Sequence, residues 1–563
     1  MTRTQSWNGA DRDAALRWSY AGVAPFVTLA GLMVLASVAI LVKGRGLTFF
    51  YDEWAWVMRR RDWNVGVFLE PHNEHLSLLP VTVFKLLFAT VGLSHYGVYR
   101  VVGLLFHLTC VTLVFLLVRR RVGDWLGVAL ASLVLFLGMA WNDLLAPFQI
   151  GFLGSIAAGL AMLLVFERTD RRGDIAACVL LIVSLSSSGL GILFVVAAFV
   201  ELLWRPDRWR ALWIVVAPLV LYGAWYLHYG HSDAMRSNIP EVPTYTAQAA
   251  AGATASLLGL AAEWGVPLVV LLVVVGALRL ARAPLTPLLA ASVAGALTFW
   301  GLTALSRAQL NDPDASRYLY PGAVLVVLVV AELARDARLR PAAWVVVGVL
   351  VGGAALSGYG ALRDGAAHLQ DWSSYVRAEL GALQLAGVTV DPNYQPDPLR
   401  APDIRAGQYL DAIRGLGPAG DSPDQVRREG EPQRQTADQV LARTLGLALG
   451  PAPVGASPGS SPAVERSAGG TAAPEGGCLV FRPAGGGALL DVALPEQGVV
   501  VESDQPVNIN ARFFADGYPP TPLGTIPAST RELVKIGPGK SPIAWHLELL
   551  PAGPTRVCAA PTT

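Results

Sequence analysis

Three short stretches carry side chains that could do chemistry. The first is "FFYDEWAWVMRRRDW", which places Asp52 and Glu53 side by side among aromatic residues, directly after a long apolar run. A positioned carboxylate can take a proton from a hydroxyl. The same two acids could instead cap the helix that "EWAWVMRRR" predicts, since carboxylates in a first turn meet free N–H groups and the positive end of the dipole. The second is "PHNEH", with His72, Glu74 and His75 after Pro71. Read as a helix opening at that proline, His72 and His75 share a face. They could touch a substrate or its phosphate, form a hydrogen-bond network, or hold part of a divalent metal's ligand set. The third is "SRAQLNDPDASRYLY", with Arg307, Arg317, Tyr318 and Tyr320. Arginine there either clamps a phosphate or anchors a span at the headgroups, with the tyrosines in an aromatic belt. Trp54 and Trp56 could offer a face to a sugar ring, although at i and i+2 they cannot share one side of a helix. Asn142, Asp143 and Gln149 in "WNDLLAPFQ" could bind acceptor hydroxyls or form a polar turn, and the turn is the reading taken.

The elements that must position these residues are membrane helices. The chain has 563 residues, 53% hydrophobic and only 15% charged, well below the roughly one quarter charged of soluble domains. Its net charge of +1 offers no electrostatic footprint for nucleic acid. Apolar runs near the length of about 20 residues that crosses a bilayer lie at 20–42, 97–118, 125–141, 150–166, 174–187, 189–204, 211–228, 264–280, 285–304, 319–334 and 342–360. The run at 76–92 contains Pro80 and Lys85 and reads as a helix lying along the surface. With eleven spans, the basic loops at 119–121, 167–174, 204–210, 279–284 and 334–340 fall on one side. The positive-inside rule makes that side cytoplasmic. Arg59, Arg60 and Arg61 fall on the other side and are read as partners of lipid phosphate or of the fold. The expected location is the cell membrane, multi-pass, with residues 1–19 as a cytoplasmic tail and everything after the last span extracytoplasmic.

On this topology the three stretches meet the outer face, the first within a long loop at 43–96. Ionisable groups at membrane level are costly and usually mark function. An outer-face transferase has no nucleotide sugar to draw on, so its activated donor would have to arrive on a lipid. The acid pair ending the first span, the long first outer loop with short helices, the many spans and the outer C-terminal region resemble the GT-C glycosyltransferases. The resemblance covers about residues 20–360. It implies that Asp52 is the general base with Glu53 beside it. It also implies a polyprenyl-phosphate-sugar donor, a glycan or glycolipid hydroxyl as acceptor, and inversion at the anomeric centre. His72, Glu74, His75, Arg307, Arg317, Tyr318 and Trp54 are then the expected substrate contacts. No cofactor is required by this reading, although the "HNEH" cluster leaves a divalent metal open. Two other classes compete with it. A transporter or lipid flippase predicts an internal repeat and polar groups near mid-bilayer, and a non-catalytic scaffold would present the outer domain.

The predicted fold is a polytopic α-helical membrane protein, about eleven spans over 20–361, followed by an extracytoplasmic α+β region. Helical spacing marks 362–449 as mostly helical. The Pro-, Gly- and Ala-rich stretch 450–477 reads as a flexible linker. Short β-branched runs between turn residues make 478–563 a small β-sandwich. Cys478 and Cys558 bracket that domain, which predicts a disulfide and hence an oxidising outer compartment. Cys110 and Cys178 lie in apolar runs and read as buried thiols.

Overall fold

The computed structural model describes residues 9–168, 170–335, 337–387, 390–452, 460–515, 521–537 and 544–561. The chain divides into two compact units. One comprises Met1–Arg45, Arg60–Leu87 and Tyr96–Leu369, and the other Gly46–Arg59, Phe88–His95 and Gln370–Thr563.

The helices in chain order are α1 (Gly9–Lys43), α2 (Asp52–Arg59), α3 (Val65–Leu69), α4 (Leu78–Thr90), α5 (Tyr96–Val122), α6 (Asp124–Leu135) and α7 (Trp141–Leu145). There follow α8 (Ile150–Phe166), α9 (Arg171–Ser187), α10 (Gly191–Leu202), α11 (Arg208–Ala211), α12 (Trp213–Tyr229) and α13 (Val242–Leu257). The remainder are α14 (Gly265–Leu280), α15 (Pro287–Arg307), α16 (Ser316–Leu333), α17 (Pro341–Ala386), α18 (Ala406–Leu416), α19 (Pro423–Val426) and α20 (Glu431–Thr444). Every one of the eleven expected apolar runs is helical. Among the described residues, nine helices are long and apolar enough to cross a membrane. The two runs below that length, α9 and α10, are the pair joined by "SSSG". The third run is interrupted at 136–140, and α7 completes it. The α4 helix has 13 residues, fewer than the about 20 that cross a bilayer. The α13 helix, packed on α14, α15 and α16, was not anticipated. Its "VPTYTAQAAAGATASL" is too polar to register as a span.

The polar groups of the first unit collect at two ends. At the basic-loop end, Arg121 Nε donates to Glu332 at 2.9 Å and Thr286 Oγ1 donates to the other Glu332 oxygen at 2.7 Å. Arg121 also pairs with Glu167 at 2.5 Å. These bonds join the ends of α5, α8, α15 and α16, and Glu332 is fully buried. Arg205 pairs with Asp174 at 2.7 Å, tying α9 to the loop after α10. Loops read from charge alone as sharing one side are therefore joined in space. At the opposite end, His72 lies against Phe148 with ring centroids 5.1 Å apart. There too the Asn142 N–H donates to Ser316 Oγ at 3.0 Å. Arg100 reaches back from α5 to the carbonyls of Ile40 (2.7 Å) and Gly44 (2.6 Å). It thereby satisfies the open C-terminus of α1. Arg60 donates to the carbonyls of Val67, Glu70 and Pro71 at 2.8–3.0 Å, so it is a partner of the fold. Lys85 does similar work, donating to the Arg60 and Asp62 carbonyls.

In the second unit the strands are β1 (Ala448–Pro451), β2 (Val464–Ala468), β3 (Gly470–Glu475), β4 (Cys478–Pro483), β5 (Leu489–Leu494) and β6 (Val499–Ser503). Then come β7 (Val507–Arg512), β8 (Thr521–Ile526), β9 (Thr530–Lys535), β10 (Trp545–Pro551) and β11 (Thr555–Ala559). They form two antiparallel sheets, ordered β1-β9-β6-β11-β4-β3 and β2-β5-β10-β7-β8. Cys478 and Cys558 are joined by a disulfide between the neighbouring strands β4 and β11. The linker reading of 450–477 needs correction where residues are described. Val464–Ala468 and Gly470–Glu475 are strands paired with β5 and β4, while 453–459 lie outside the described residues. The sequences of β2 (VERSA) and β3 (GTAAPE) hid them, because edge strands with largely exposed side chains lack an alternating apolar face. The α20 helix packs on β7 and β8. Its Asp438 accepts the N–H groups of Phe513, Phe514 and Ala515 at 3.0, 2.8 and 3.1 Å.

Replacing Asp438 with alanine leaves three backbone donors without their acceptor, two of them buried, at about 1–3 kcal/mol for each buried one. Asp438→Ala is expected to lower the β domain's stability by on the order of 3 kcal/mol, and Asp438→Asn by less. Urea-dependent pulse proteolysis of the full chain, read at cleavages inside 460–561, measures both.

Candidate functional site

The acid pair sits at the N-terminus of α2 in the second unit, and the two acids have different surroundings. Glu53 is fully buried and its Oε2 accepts the N–H of Phe50 at 2.7 Å. It folds back on the turn before the helix as a reciprocal cap does. That turn contains Tyr51 at φ 40°, a left-handed conformation rare for a side-chain-bearing residue. Asp52 is half-buried and keeps access to solvent. Phe49 and Tyr409 pack on Trp54 at centroid distances of 5.4 and 6.2 Å. Trp54 is fully buried, so its faces are filled by protein and offer no platform for a sugar ring. The segment is held to α17 by the Thr48 N–H on Ser373 Oγ at 3.2 Å and by Phe50 against Trp372 at 5.4 Å. Arg59 pairs with Asp403.

In the first unit, the "HNEH" stretch is not helical. His72 and His75 exchange backbone hydrogen bonds of 3.0 Å in both directions, closing a tight hairpin. Asn73 in that turn has φ 51°, a conformation asparagine tolerates. Pro71 therefore precedes a turn and does not open a helix; the next helix begins at Leu78. Glu74 reaches across to the N–H of Asp233 at 3.2 Å and to Arg307 at 3.3 Å. Arg307 also donates through both terminal nitrogens to Asp233 Oδ2 at 3.1 Å. Arg307, expected to meet a phosphate, is thus already neutralised by two carboxylates. Asp233 was missed in the sequence because "GHSDAM" has no periodicity or motif to mark it. Among the described residues no three His, Cys, Asp or Glu side chains are arranged to hold a metal. His75 lies below Phe152, 6.3 Å between centroids. Desolvation, then the charge of Arg307, lower its pKa from 6.5 to about 4.

Arg317 stands differently from Arg307. It occupies the first turn of α16, an 18-residue helix, where free N–H groups and the helix dipole favour an anion. Its guanidinium lies 4.7 Å from the Tyr318 ring centroid, and it makes no ion pair among the described residues. Asn142 meets the same turn through Ser316. Next to it, Asp143 is 2% exposed, and neither carboxylate oxygen has a hydrogen-bond partner among the described residues. Arg317 is within its electrostatic reach. Buried polar groups are nearly always paired, so Asp143 does not behave as the turn residue expected of it. Tyr320, one turn on, bonds His107 at 2.8 Å inside the bundle and is not at the surface.

Fold and site together define a multi-pass α-helical membrane protein with a C-terminal β domain, carrying an anion-favouring helix terminus beside a buried acid. No family model and no curated protein matches this chain. Among solved structures it is similar to ArnT from Cupriavidus metallidurans in the apo state. That match has TM-score 0.46 and 16% identity, covering 66% of this chain and 82% of that one. It is also similar to ArnT of the same organism bound to undecaprenyl phosphate, with TM-score 0.44 and 15% identity, covering 65% and 80%. Both are similarities of backbone path at low identity, and every role assigned below is drawn from this chain's own residues.

The pH dependence of the hairpin follows from His75. Its folded pKa lies below its unfolded value, so the unfolded state binds the extra proton as pH falls. The stability it contributes is fully present above pH 6.5 and is lost between 6.5 and about 4. A loss on the order of 1–3 kcal/mol is expected over that window. Thermal unfolding in detergent at pH 7.5 and 4.5 should show this fall, and His75→Gln should reduce it.

Proposed function

We propose that this protein is a GT-C-type membrane glycosyltransferase. It moves a sugar from a polyprenyl-phosphate donor to a hydroxyl of a cell-envelope glycan or glycolipid at the outer face. The observation that carries this reading is Arg317. An arginine without an ion pair among the described residues, on the first turn of a membrane helix, suits a phosphate leaving group at membrane level. Tyr318 below the guanidinium fixes its position. Asp143, buried and without a donor, suits a hydroxyl or a cation of the bound substrate.

Asp52 is the general base in this reading. It is the acid of the pair that keeps solvent access, whereas Glu53 is committed to the Phe50 N–H. The base takes the acceptor's proton as its oxygen attacks the anomeric carbon, and the phosphate, for which Arg317 is the suited cation, departs with the bonding electrons. Direct attack inverts the anomeric centre. Glu53 acts on Asp52 only by shaping the turn at Tyr51. The Glu74–Arg307–Asp233 cluster acts as a brace for the hairpin, with His72 and His75 as its packed sides.

Positioned bases contribute about 10²–10⁴ in rate. Asp52→Asn is therefore expected to lose transfer by about that factor at unchanged membrane abundance. Glu53→Gln keeps an acceptor for Phe50 and should retain most transfer with reduced abundance. Complementation of a deletion strain, read as envelope sugar content at matched protein levels, tests both. Full restoration by Asp52→Asn would refute the reading. With the purified enzyme, Arg317→Ala should raise KM for the lipid donor about 10–100-fold, as loss of a charged hydrogen bond predicts. Donor titrations at saturating acceptor would show it.

A further inference from the structure

The α17 helix runs for 46 residues, and its expected span ends at Gly360. Glu379 lies 19 residues further, about 28 Å along the axis, in the same unit as α2. It is 5% exposed. Its carboxyl lies within hydrogen-bond reach of Asp397, and its Oε2 is buried with no hydrogen-bond partner among the described residues. Asp397, equally buried, is already well supplied with donors. It accepts the N–H groups of Leu399 and Arg400 at 2.9 and 2.8 Å and the Arg400 guanidinium at 3.0 Å. The other charged or titratable groups facing Glu379 are Arg400 and Tyr394, with Arg443 of α20 bonded in turn to Tyr394.

One cation thus stands against two buried carboxyl groups. Two carboxyls sharing a site cannot both ionise without a large cost. Asp397 has three donors to stabilise its charge, and Glu379 has none among the described residues. Glu379 is therefore the one that keeps a proton and donates it, as a buried carboxylic acid can. Burial, then the neighbouring Asp397, raise its pKa from 4.5 to about 9.

The bond holds more than two side chains. Arg400 lies 4.1 Å from the Tyr375 ring centroid and 5.9 Å from that of Trp372. Trp372 Nε1 donates to the Arg400 carbonyl at 3.3 Å. The same Trp372 packs on Phe50, two residues before Asp52. Further along the segment, Asp403 pairs with Arg59 at the other end of α2, and Tyr409 of α18 packs on Trp54. Residues 391–409 therefore touch α2 at both ends and in its middle.

We infer that Glu379 is a positioning residue for Asp52. Its proton, donated to Asp397, seats residues 391–405 on α17, and that segment seats α2. The word positioning rests on the transferase reading; the seating of the segment does not. When the proton passes to solvent, two negative charges face one arginine and the seat is distorted.

The test compares the full chain in lipid nanodiscs with Glu379→Gln and Glu379→Ala. Gln keeps a donor for Asp397 and has no proton to lose, whereas Ala lacks both. Hydrogen exchange over 391–405, corrected for the intrinsic effect of pH, reads the seating. The closed segment holds a proton that the open one releases above pH 4.5, so its stability falls as pH rises toward about 9. Opening in the wild type should rise by up to about tenfold per pH unit from pH 7 and level off near pH 9. Neither variant should show this rise, and Glu379→Ala should be about 10-fold more open than Glu379→Gln at pH 7. Wild-type kcat should fall about 10–100-fold between pH 8 and 10, as a displacement on the order of 1 Å predicts, with KM for the lipid donor unchanged. Glu379→Gln should match the wild type at pH 7.5 and lack that fall. The inference is overturned if opening or kcat follows the same pH course in Glu379→Gln as in the wild type. Opening that responds to Glu379 while kcat does not sinks it too, since the segment would then have no hold on Asp52. Should Glu379→Gln fail to fold, a pH-dependent opening that persists in Glu379→Ala overturns it equally. If Asp52→Asn restores envelope sugars in full, the transferase reading falls, and the exchange measurement alone decides whether the acid pair seats the segment.

Discussion

Glu332 is the buried charge on which the helical unit turns. A carboxylate without solvent is tolerated only when its oxygens are met, and here Arg121 and Thr286 meet both. Because these partners come from α5, α15 and α16, the bond fixes their axial register at one end of the bundle. A helix is rigid over its length, so the same bond sets where the other ends finish. Those other ends carry Arg307 and the first turn of α16 with Arg317. A misplacement at the buried pair would therefore move those ends by a similar distance.

The two arginines of the third stretch show why local sequence does not settle a role. Both follow or open a membrane helix, and both are flanked by polar residues. Arg307 is closed off by Glu74 and by Asp233, residues far from it in the chain. Arg317 has only an aromatic face and a helix terminus. The difference is made by which loops the bundle brings alongside, information that no window of sequence contains. The acid pair divides in the same manner, since one backbone N–H three residues upstream engages Glu53, while Asp52 is half-buried.

Much of the membrane architecture was legible, because burying backbone in lipid demands long apolar helices and leaves basic residues in the loops on one side. Arg121, Glu167 and Glu332 meet in space, so these helix ends lie together. Hidden from that reading were elements whose stability comes from partners: α13, which is too polar to look like a span, and β2 and β3, which are edge strands. The hairpin at His72–His75 was mistaken for a helix because Pro71 suits both a first helical turn and a bend. Asp143 read as a turn residue because Asn-Asp dipeptides usually are. Its burial without a hydrogen-bond partner among the described residues shows otherwise.

The order of strands in the larger sheet bears on how the domain is made. Strand β11 lies between β6 and β4, yet it is the last of the eleven to be synthesised. Until residues 555–559 emerge, β4 and β6 each present an unsatisfied edge, and Cys478 has no partner thiol. The sheet is therefore assembled by late insertion into its middle, with a long loop to close before the contact forms. Until that insertion, those two edges are the places in the described sheet most open to wrong pairing.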